Sequence, residues 1–178
     1  MTTTTPRPDQ TSHPANPTLE QVDRAIRRRS FCTLATVSPA GRPHAAGVLY
    51  AYAEGALYVS TQRDSRKARN IAANPAVFVW VPVRRVPVGP PSGVQFAAEA
   101  ELLDNDDTEV RRLAAGGLLK AITGHGELEL DGGCFVRIAP GPTIHTYGIG
   151  LPLHRLIRDP LNAGGRLVRP PKLSSKGL

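Results

Sequence analysis

The chain has 178 residues, enough for one domain with a buried core and too few for two of ordinary size. Hydrophobic residues make up 40%, which excludes wholesale disorder, and the apolar runs break well before the ~18 residues of a membrane-spanning helix. Two cysteines exclude a disulfide scaffold and fit a reducing, cytoplasmic compartment, while Lys+Arg 22 against Asp+Glu 15, a net +7, points to an anionic partner.

Residues 1–17 are rich in Thr and Pro and lack an apolar stretch, which reads as a flexible arm and not as a secretory signal. Thr18 with Gln21 makes a capping box, Leu19, Val22 and Ile26 recur at helical spacing, and Arg27, Arg28 and Arg29 suit the negative end of a helix dipole. This predicts a helix ending near Ser30. Phe31 to Val37 reads as a strand stopped by Ser38-Pro39-Ala40-Gly41, Arg42 to Tyr52 as a second strand, and Ala56 to Thr61 as a third beyond the Ala53-Glu54-Gly55 hairpin loop. Together they predict a three-stranded meander.

Asp64 or Ser65 caps a following helix that runs to Asn74 and is stopped by Pro75. Ala76 to Val83 is a fourth strand, with Val77, Val79 and Val81 alternating against Phe78 and Trp80, and Trp80 expected in the core or, as the second choice, on a cofactor wall. Residues 84–91 form a loop, and Gly93 to Leu103 a long strand. A helix over Val110 to Ile122 follows an acidic stretch and is weakened by Gly116-Gly117. Cys134 to Ala139 and Thr143 to Tyr147 read as two strands around Pro140-Gly141-Pro142, and after Gly150 the periodicity fades. The fold class is mainly β (α+β): a barrel-like core of about six to seven antiparallel strands with flanking helices. The domain spans 18–148, followed by a basic Pro/Gly-rich segment over 149–178.

Most of the charge excess lies in that last segment, where Arg155, Arg158, Arg166, Arg169, Lys172 and Lys176 face Asp159 alone. A smaller cluster, Arg63, Arg66, Lys67 and Arg69, stands beside hydroxyl residues at the start of a helix. A helix N-terminus offers free N–H groups and a positive dipole end, so Ser60, Thr61, Ser65, Arg66 and Lys67 together make a phosphate cradle.

The order Gly41-Arg42-Pro43-His44, Val48-Leu49-Tyr50, Leu57-Tyr58-Val59-Ser60-Thr61, Ser65-Arg66-Lys67-Ala68-Arg69-Asn70 and Asn74-Pro75-Ala76-Val77 resembles the pyridoxamine 5′-phosphate oxidase-like superfamily of flavin-binding split β-barrels. The resemblance covers residues 18–104 and continues more weakly to 148. It implies that the positions of Ser60, Thr61, Arg66 and Lys67 hold the cofactor phosphate, that Ala46, Gly47 and Val48 run alongside the flavin ring, and that the cofactor lies between the subunits of a homodimer. Small side chains at Ala45-Ala46-Gly47 suit the approach of a flat ring. The implied activity is hydride transfer on a small organic substrate with FMN, or alternatively the deazaflavin coenzyme F-420, whose anionic tail would suit the basic C-terminal segment.

The C-terminal stretch Gly164-Gly165-Arg166-Leu167-Val168-Arg169-Pro170-Pro171 departs from the closing substrate motif of the true oxidases, which argues against vitamin B6 oxidation. No catalytic acid or base stands out. Cys32 and Cys134 read as core residues, and no His or Cys pair has metal-ligand spacing. His44 and His125 read as residues of turns or loops, and His145 and Tyr147 as neighbours on one strand face. A non-catalytic haem or cofactor carrier, with His145 or His154 as axial ligand, is the competing class. Aromatic residues at 5% and the lack of a motif argue against a specific nucleic-acid partner.

Overall fold

The structure is a computed structural model that describes residues 16–83 and 90–169. Residues 1–15 of the arm expected over 1–17, residues 84–89 of the expected loop, and residues 170–178 lie outside it.

Local rules account for the first helix. The Thr18 hydroxyl accepts the Gln21 N–H and the Gln21 side chain accepts the Thr18 N–H, a reciprocal cap on α1 (Leu19–Arg27) that buries Val22 and Ile26. The helix ends earlier than its cationic run suggests, because the Arg29 N–H turns back to the Ile26 carbonyl at 3.0 Å. The chain then forms β1 (Phe31–Val37), β2 (Pro43–Leu49), β3 (Ala51–Ala53), β4 (Ala56–Gln62), α2 (Arg66–Ala73), β5 (Ala76–Pro82) and β6 (Gly93–Asp104). After these come α3 (Thr108–Ala115), α4 (Lys120–Thr123), β7 (Gly133–Tyr147), α5 (Leu153–Arg158) and β8 (Gly164–Val168).

The run expected as one strand over 42–52 is broken at Tyr50. Its N–H still bonds the Ser30 carbonyl at 2.8 Å, extending the β1–β2 register by one pair, and its buried phenol donates to the Ile26 carbonyl at 2.7 Å. The pieces on either side reach opposite ends of the sheet, whose order is β2-β1-β5-β6-β7-β4-β3 with β8 on β7 and every pair antiparallel. Both ends of that path lie on one continuous stretch of chain, so the sheet closes on itself as a split barrel. The expected meander is thus two pairings, β1 with β2 and β3 with β4.

Two further expectations change. Pro140-Gly141-Pro142 does not separate two strands. β7 runs through it by bulging, with Gly141, Pro142 and Thr143 opposite Ala97 alone of β6, and with Gly141 so close that a Cβ would stand 2.8 Å from the Ala97 carbonyl oxygen. The stretch after Gly150, where periodicity fades, contains α5 and β8. β8 pairs with β7, and the Arg169 guanidinium reaches Asp23 at 3.1 Å. Gly116-Gly117 separates α3 from α4 as the sequence suggests, with Gly117 at φ +73°.

Two cores result. The barrel interior holds Ile26, Leu34, Tyr50, Val79, Phe96 and Ile144, and a second cluster under α3 and α4 holds Tyr58, Val110, Leu113, Leu119 and Phe135. β4 is buried on both faces because Leu57 and Val59 belong to the first core and Ala56 and Tyr58 to the second. Both cysteines are buried and unpaired, and burial pushes the Cys32 thiol up to about 12. Trp80, expected inside, is 41% exposed on the outer face with Phe78, since the valines of β5 take the core side.

Burial raises the phenols of Tyr50, Tyr52 and Tyr58, and for Tyr58, pushed up to about 12, the hydrogen bond to Glu109 adds to it. A phenol raised in the folded state contributes stability that is complete below the ordinary value of 10.0 and is lost as pH climbs toward 12. Alkaline titration is therefore expected to develop most tyrosinate absorbance together with the loss of far-ultraviolet circular dichroism. Ionisation of all four tyrosines near pH 10.0 with the fold intact would contradict this burial.

Candidate functional site

The start of α2 is fixed by hydroxyls. Ser65, and not Asp64, is the cap: its Oγ accepts the Ala68 N–H at 3.3 Å. The buried Thr61 hydroxyl lies 3.2 Å from Ser65 Oγ, so Thr61 holds the cap in place. Arg63 is engaged by Asp104. Farther along α2, the buried Asn70 amide donates to Thr36 Oγ1 at 2.9 Å, which ties the helix to β1. Asn74 closes the helix and accepts the Ala76 N–H, opening β5. The Ser-x-Lys and Asn-Pro elements of the sequence are thus the two ends of one rigidly seated helix.

Beside the helix start lies a cavity of about 320 Å³. Gly47, Val48 and Leu49 from the end of β2, Ser60 from β4 and Lys67 from α2 form one side. Ala121, Ile122, His125 and Glu127, from α4 and the loop after it, form the other. Of the residues singled out from sequence, Gly47, Val48, Ser60 and Lys67 come together here. Arg66 is exposed on the next position of the helix, and Thr61 and Ser65 stand behind the wall as its support. Ala46 faces inward and packs against the barrel core, because alternation along β2 puts it on the face opposite Gly47. The absent side chain of Gly47 leaves room for the Phe31 ring, whose Cζ would lie 2.7 Å from a Cβ there. The close approach that requires this glycine is therefore made by a neighbouring side chain.

His125 and Glu127 were not foreseen as site residues. The His125 N–H donates to Glu127 Oε2 at 2.8 Å, and His125 Nδ1 lies 3.5 Å from Glu127 Oε1. These backbone hydrogen bonds, first that of His125, hold the Glu127 carboxyl below the usual range, so it is anionic at neutral pH. The local signal was Gly124-His125-Gly126, a turn with Gly126 at φ +90°. Its proximity to Lys67 is a long-range fact. The cavity thus carries an ammonium at a helix start and a hydroxyl on β4 beside it, where an anion is favoured, and a carboxylate on the facing loop, where an anion is disfavoured.

The other histidines lie elsewhere. His145 is exposed on β7 opposite Arg166 of β8, His154 is exposed on α5, and His44 is half-buried on β2. Tyr147, on the strand face of His145, donates its hydroxyl to the Pro160 carbonyl at 3.1 Å. Among the described residues no three His, Cys, Asp or Glu side chains gather as a metal site.

The side chains present fit a phosphate at Lys67 and Ser60. Since Ser65 organises that corner, Ser65→Ala is expected to cost about 1 kcal/mol of stability by urea denaturation. Ser65→Asp, which restores a cap, should recover most of the loss.

A family model described as pyridoxamine 5′-phosphate oxidase matches residues 18–128. Among solved structures, the chain is similar to the heme storage protein HutZ from Vibrio cholerae, with a TM-score of 0.65 and 20% identity over 75% of this chain and 97% of that one. It is also similar to a heme binding protein from Mycobacterium smegmatis, with a TM-score of 0.62 and 19% identity over 74% of this chain and 54% of that one. A FAD-binding protein from Mesorhizobium loti has a TM-score of 0.58 and 19% identity over 71% and 91%. At these identities the likeness is one of fold. No curated protein matches the chain.

Proposed function

Because this chain belongs to the pyridoxamine 5′-phosphate oxidase family, whose model spans residues 18–128, we propose that it is an oxidoreductase that binds FMN, or alternatively the deazaflavin coenzyme F-420. Its reaction is hydride transfer to or from a small organic substrate. The observation that carries this reading is the convergence of Lys67, at the start of a capped helix, Ser60 of β4 and the end of β2 on one cavity. Lys67, Ser60 and the exposed Arg66 hold the phosphate, with Thr61 and Ser65 fixing the helix start. Gly47, Val48 and Leu49 run along the ring. The bound cofactor supplies the hydride chemistry. The chain supplies charge neutralisation at one end and, through Glu127, a carboxylate that turns anionic groups away from the other.

The substrate is a compound other than pyridoxamine 5′-phosphate, since the closing stretch Arg166 to Pro171 differs from the substrate motif of the true oxidases. We place the protein in the cytoplasm, where two buried thiols stay reduced. No described helix is long and apolar enough to cross a membrane.

A cavity of about 320 Å³ sits at the lower end of the range for ligand sites. A second copy supplies the missing wall. Phe31, Leu49, Phe78 and Trp80 are between 41% and 59% exposed on the outer sheet face, and Leu49 belongs to both this face and the cavity. An apolar patch of this kind suits a twofold interface. A haem-carrying role is the second reading. It is favoured by the 92% exposed side chain of His125 at the cavity and by the two heme-named structural neighbours, whereas His145 and His154 lie off the cavity wall.

Purified protein titrated with FMN is expected to quench flavin fluorescence. Arg66→Ala with Lys67→Ala should weaken that binding by about tenfold or more, the worth of a charge-assisted hydrogen bond. Unchanged affinity in the double variant would mean that the cradle is misassigned, and a Soret band instead of flavin binding would favour the carrier role. Trp80→Asp is expected to convert a dimer into a monomer by light scattering, with weaker flavin binding. A monomeric parent protein that binds flavin fully would refute the shared site.

A further inference from the structure

Besides the outer sheet face, large apolar side chains stand in water on α5 and on the short turn Pro160–Asn162 that follows it. Leu153 and Ile157 of α5 are exposed, Ile157 to 61%, and Leu161 of the turn is 94% exposed. The buried side chain of α5 is Leu156, which packs where Gly148 has none: a Cβ there would stand 2.9 Å from Leu156 Cδ2. With Leu156 turned inward, the helical step of about 100° per residue puts Leu153 and Ile157 side by side on one flank and Arg158 on the outermost line.

Leu161 is held out by an ordered turn. The Tyr147 hydroxyl donates to the Pro160 carbonyl at 3.1 Å, the Gly148 N–H donates to the Ala163 carbonyl at 2.9 Å, and the Asn162 amide donates to both oxygens of Asp159 at 3.0 Å. The strand under this turn adds charge to it. Tyr147 and His145 share a face of β7, and Arg166 of β8 stands directly opposite His145, so the Leu161 turn rests over the strand face that carries Arg166. Arg155 and Arg158 of α5 and Arg166 are exposed, and no ion pair with a described carboxylate engages any of the three. Asp159 is the acidic residue of the stretch 149–169. Exposed leucine and isoleucine are thus interleaved with arginine on one firmly held part of the surface.

We infer that α5 and the Leu161 turn form a docking surface for a bilayer that carries anionic phospholipids. Arg155, Arg158 and Arg166 take the headgroup phosphates, and Leu153, Ile157 and Leu161 enter the boundary between headgroups and acyl chains. The planar guanidinium fork matches phosphate oxygens, and a bilayer accepts a projecting leucine without a shaped pocket. Either signal alone gives weak, reversible attachment, and the two together reinforce each other. A second copy is a poorer occupant, because a twofold contact would set these cations against their own copies. A nucleic acid would meet the arginines and leave Ile157 and Leu161 in water. The contact is peripheral, since no described helix is long and apolar enough to cross a membrane. It uses none of the cofactor-cavity residues.

The test is co-sedimentation of the full chain with vesicles of phosphatidylcholine, and with vesicles of phosphatidylcholine and phosphatidylglycerol in equal parts, at low and high salt. The chain is expected to bind the anionic vesicles and not the zwitterionic ones, and to bind less as salt rises. Arg155→Gln with Arg158→Gln should weaken binding by about tenfold or more, and Leu161→Asp by a similar factor. Leu161→Trp should bind as the parent does, and anionic vesicles should shift its emission to the blue, beyond any shift of the parent chain with Trp80 alone. Equal thermal melting of the variants and the parent will show that the fold is retained. The inference is overturned if the chain stays in solution with both kinds of vesicle, if it binds both equally, or if Leu161→Asp binds as the parent does. It is also overturned if a single-stranded oligonucleotide binds more tightly than the anionic vesicles, or if light scattering shows that Leu161→Asp separates copies of the chain.

Discussion

The break at Tyr50 is the constraint on which the rest of the molecule depends. A straight strand over 42–52 would keep both halves on one sheet edge. Instead, the Tyr50 phenol is anchored on the last turn of α1 and its N–H on Ser30, so β2 continues along β1 while β3 turns to β4. Each half satisfies its backbone groups with a different partner, and the sheet has to close between them. Closure in turn brings the end of β2 beside Ser60 near the end of β4. A buried hydrogen bond thus shapes the cavity from a distance, without touching it.

A second layer of short polar contacts turns this frame into a site. Thr61 steadies Ser65, Ser65 caps α2, and Asn70 ties the helix to Thr36 of β1. The cations of α2 gain their position from these neutral groups. Charge alone would not distinguish them. Arg63, in the same cluster, is engaged by Asp104, and the Arg137 guanidinium near α3 is engaged by Glu109 at 3.1 Å. What separates the cavities is the balance between cations and carboxylates on each wall, with Lys67 facing Glu127 in one and Arg112 and Arg137 paired with Glu54 and Glu109 in another.

Much of the fold was legible because its signals are local. The capping box of α1, the Ser65 cap, the valines of β5 and the paired glycines between α3 and α4 each act within a few residues. The failures share a different cause. The chain breaks at Tyr50, whose phenol is held by a carbonyl 24 residues away on α1. β7 runs through two prolines because it bulges there, with Gly141, Pro142 and Thr143 opposite Ala97 alone, and β8 forms on β7 although its own stretch is too short and too glycine-rich to announce a strand. Trp80 faces outward because the alternation of β5 fixes two faces without saying which one is covered.

The sequence by itself determined the phosphate-suited corner, since hydroxyls and cations at a helix start lie within eight residues, from Ser60 to Lys67. It also determined the family, through the order of short motifs. Only the tertiary structure decided which of those residues line the cavity and which support it. Ala46 turned inward with the pleat, Thr61 was drawn behind the cap, and His125 and Glu127 arrived from a loop some 60 residues away. The +7 that opened the question was likewise divided by tertiary structure, because a cation's availability depends on the carboxylate beside it in space, and that neighbour is set by the closure of the sheet.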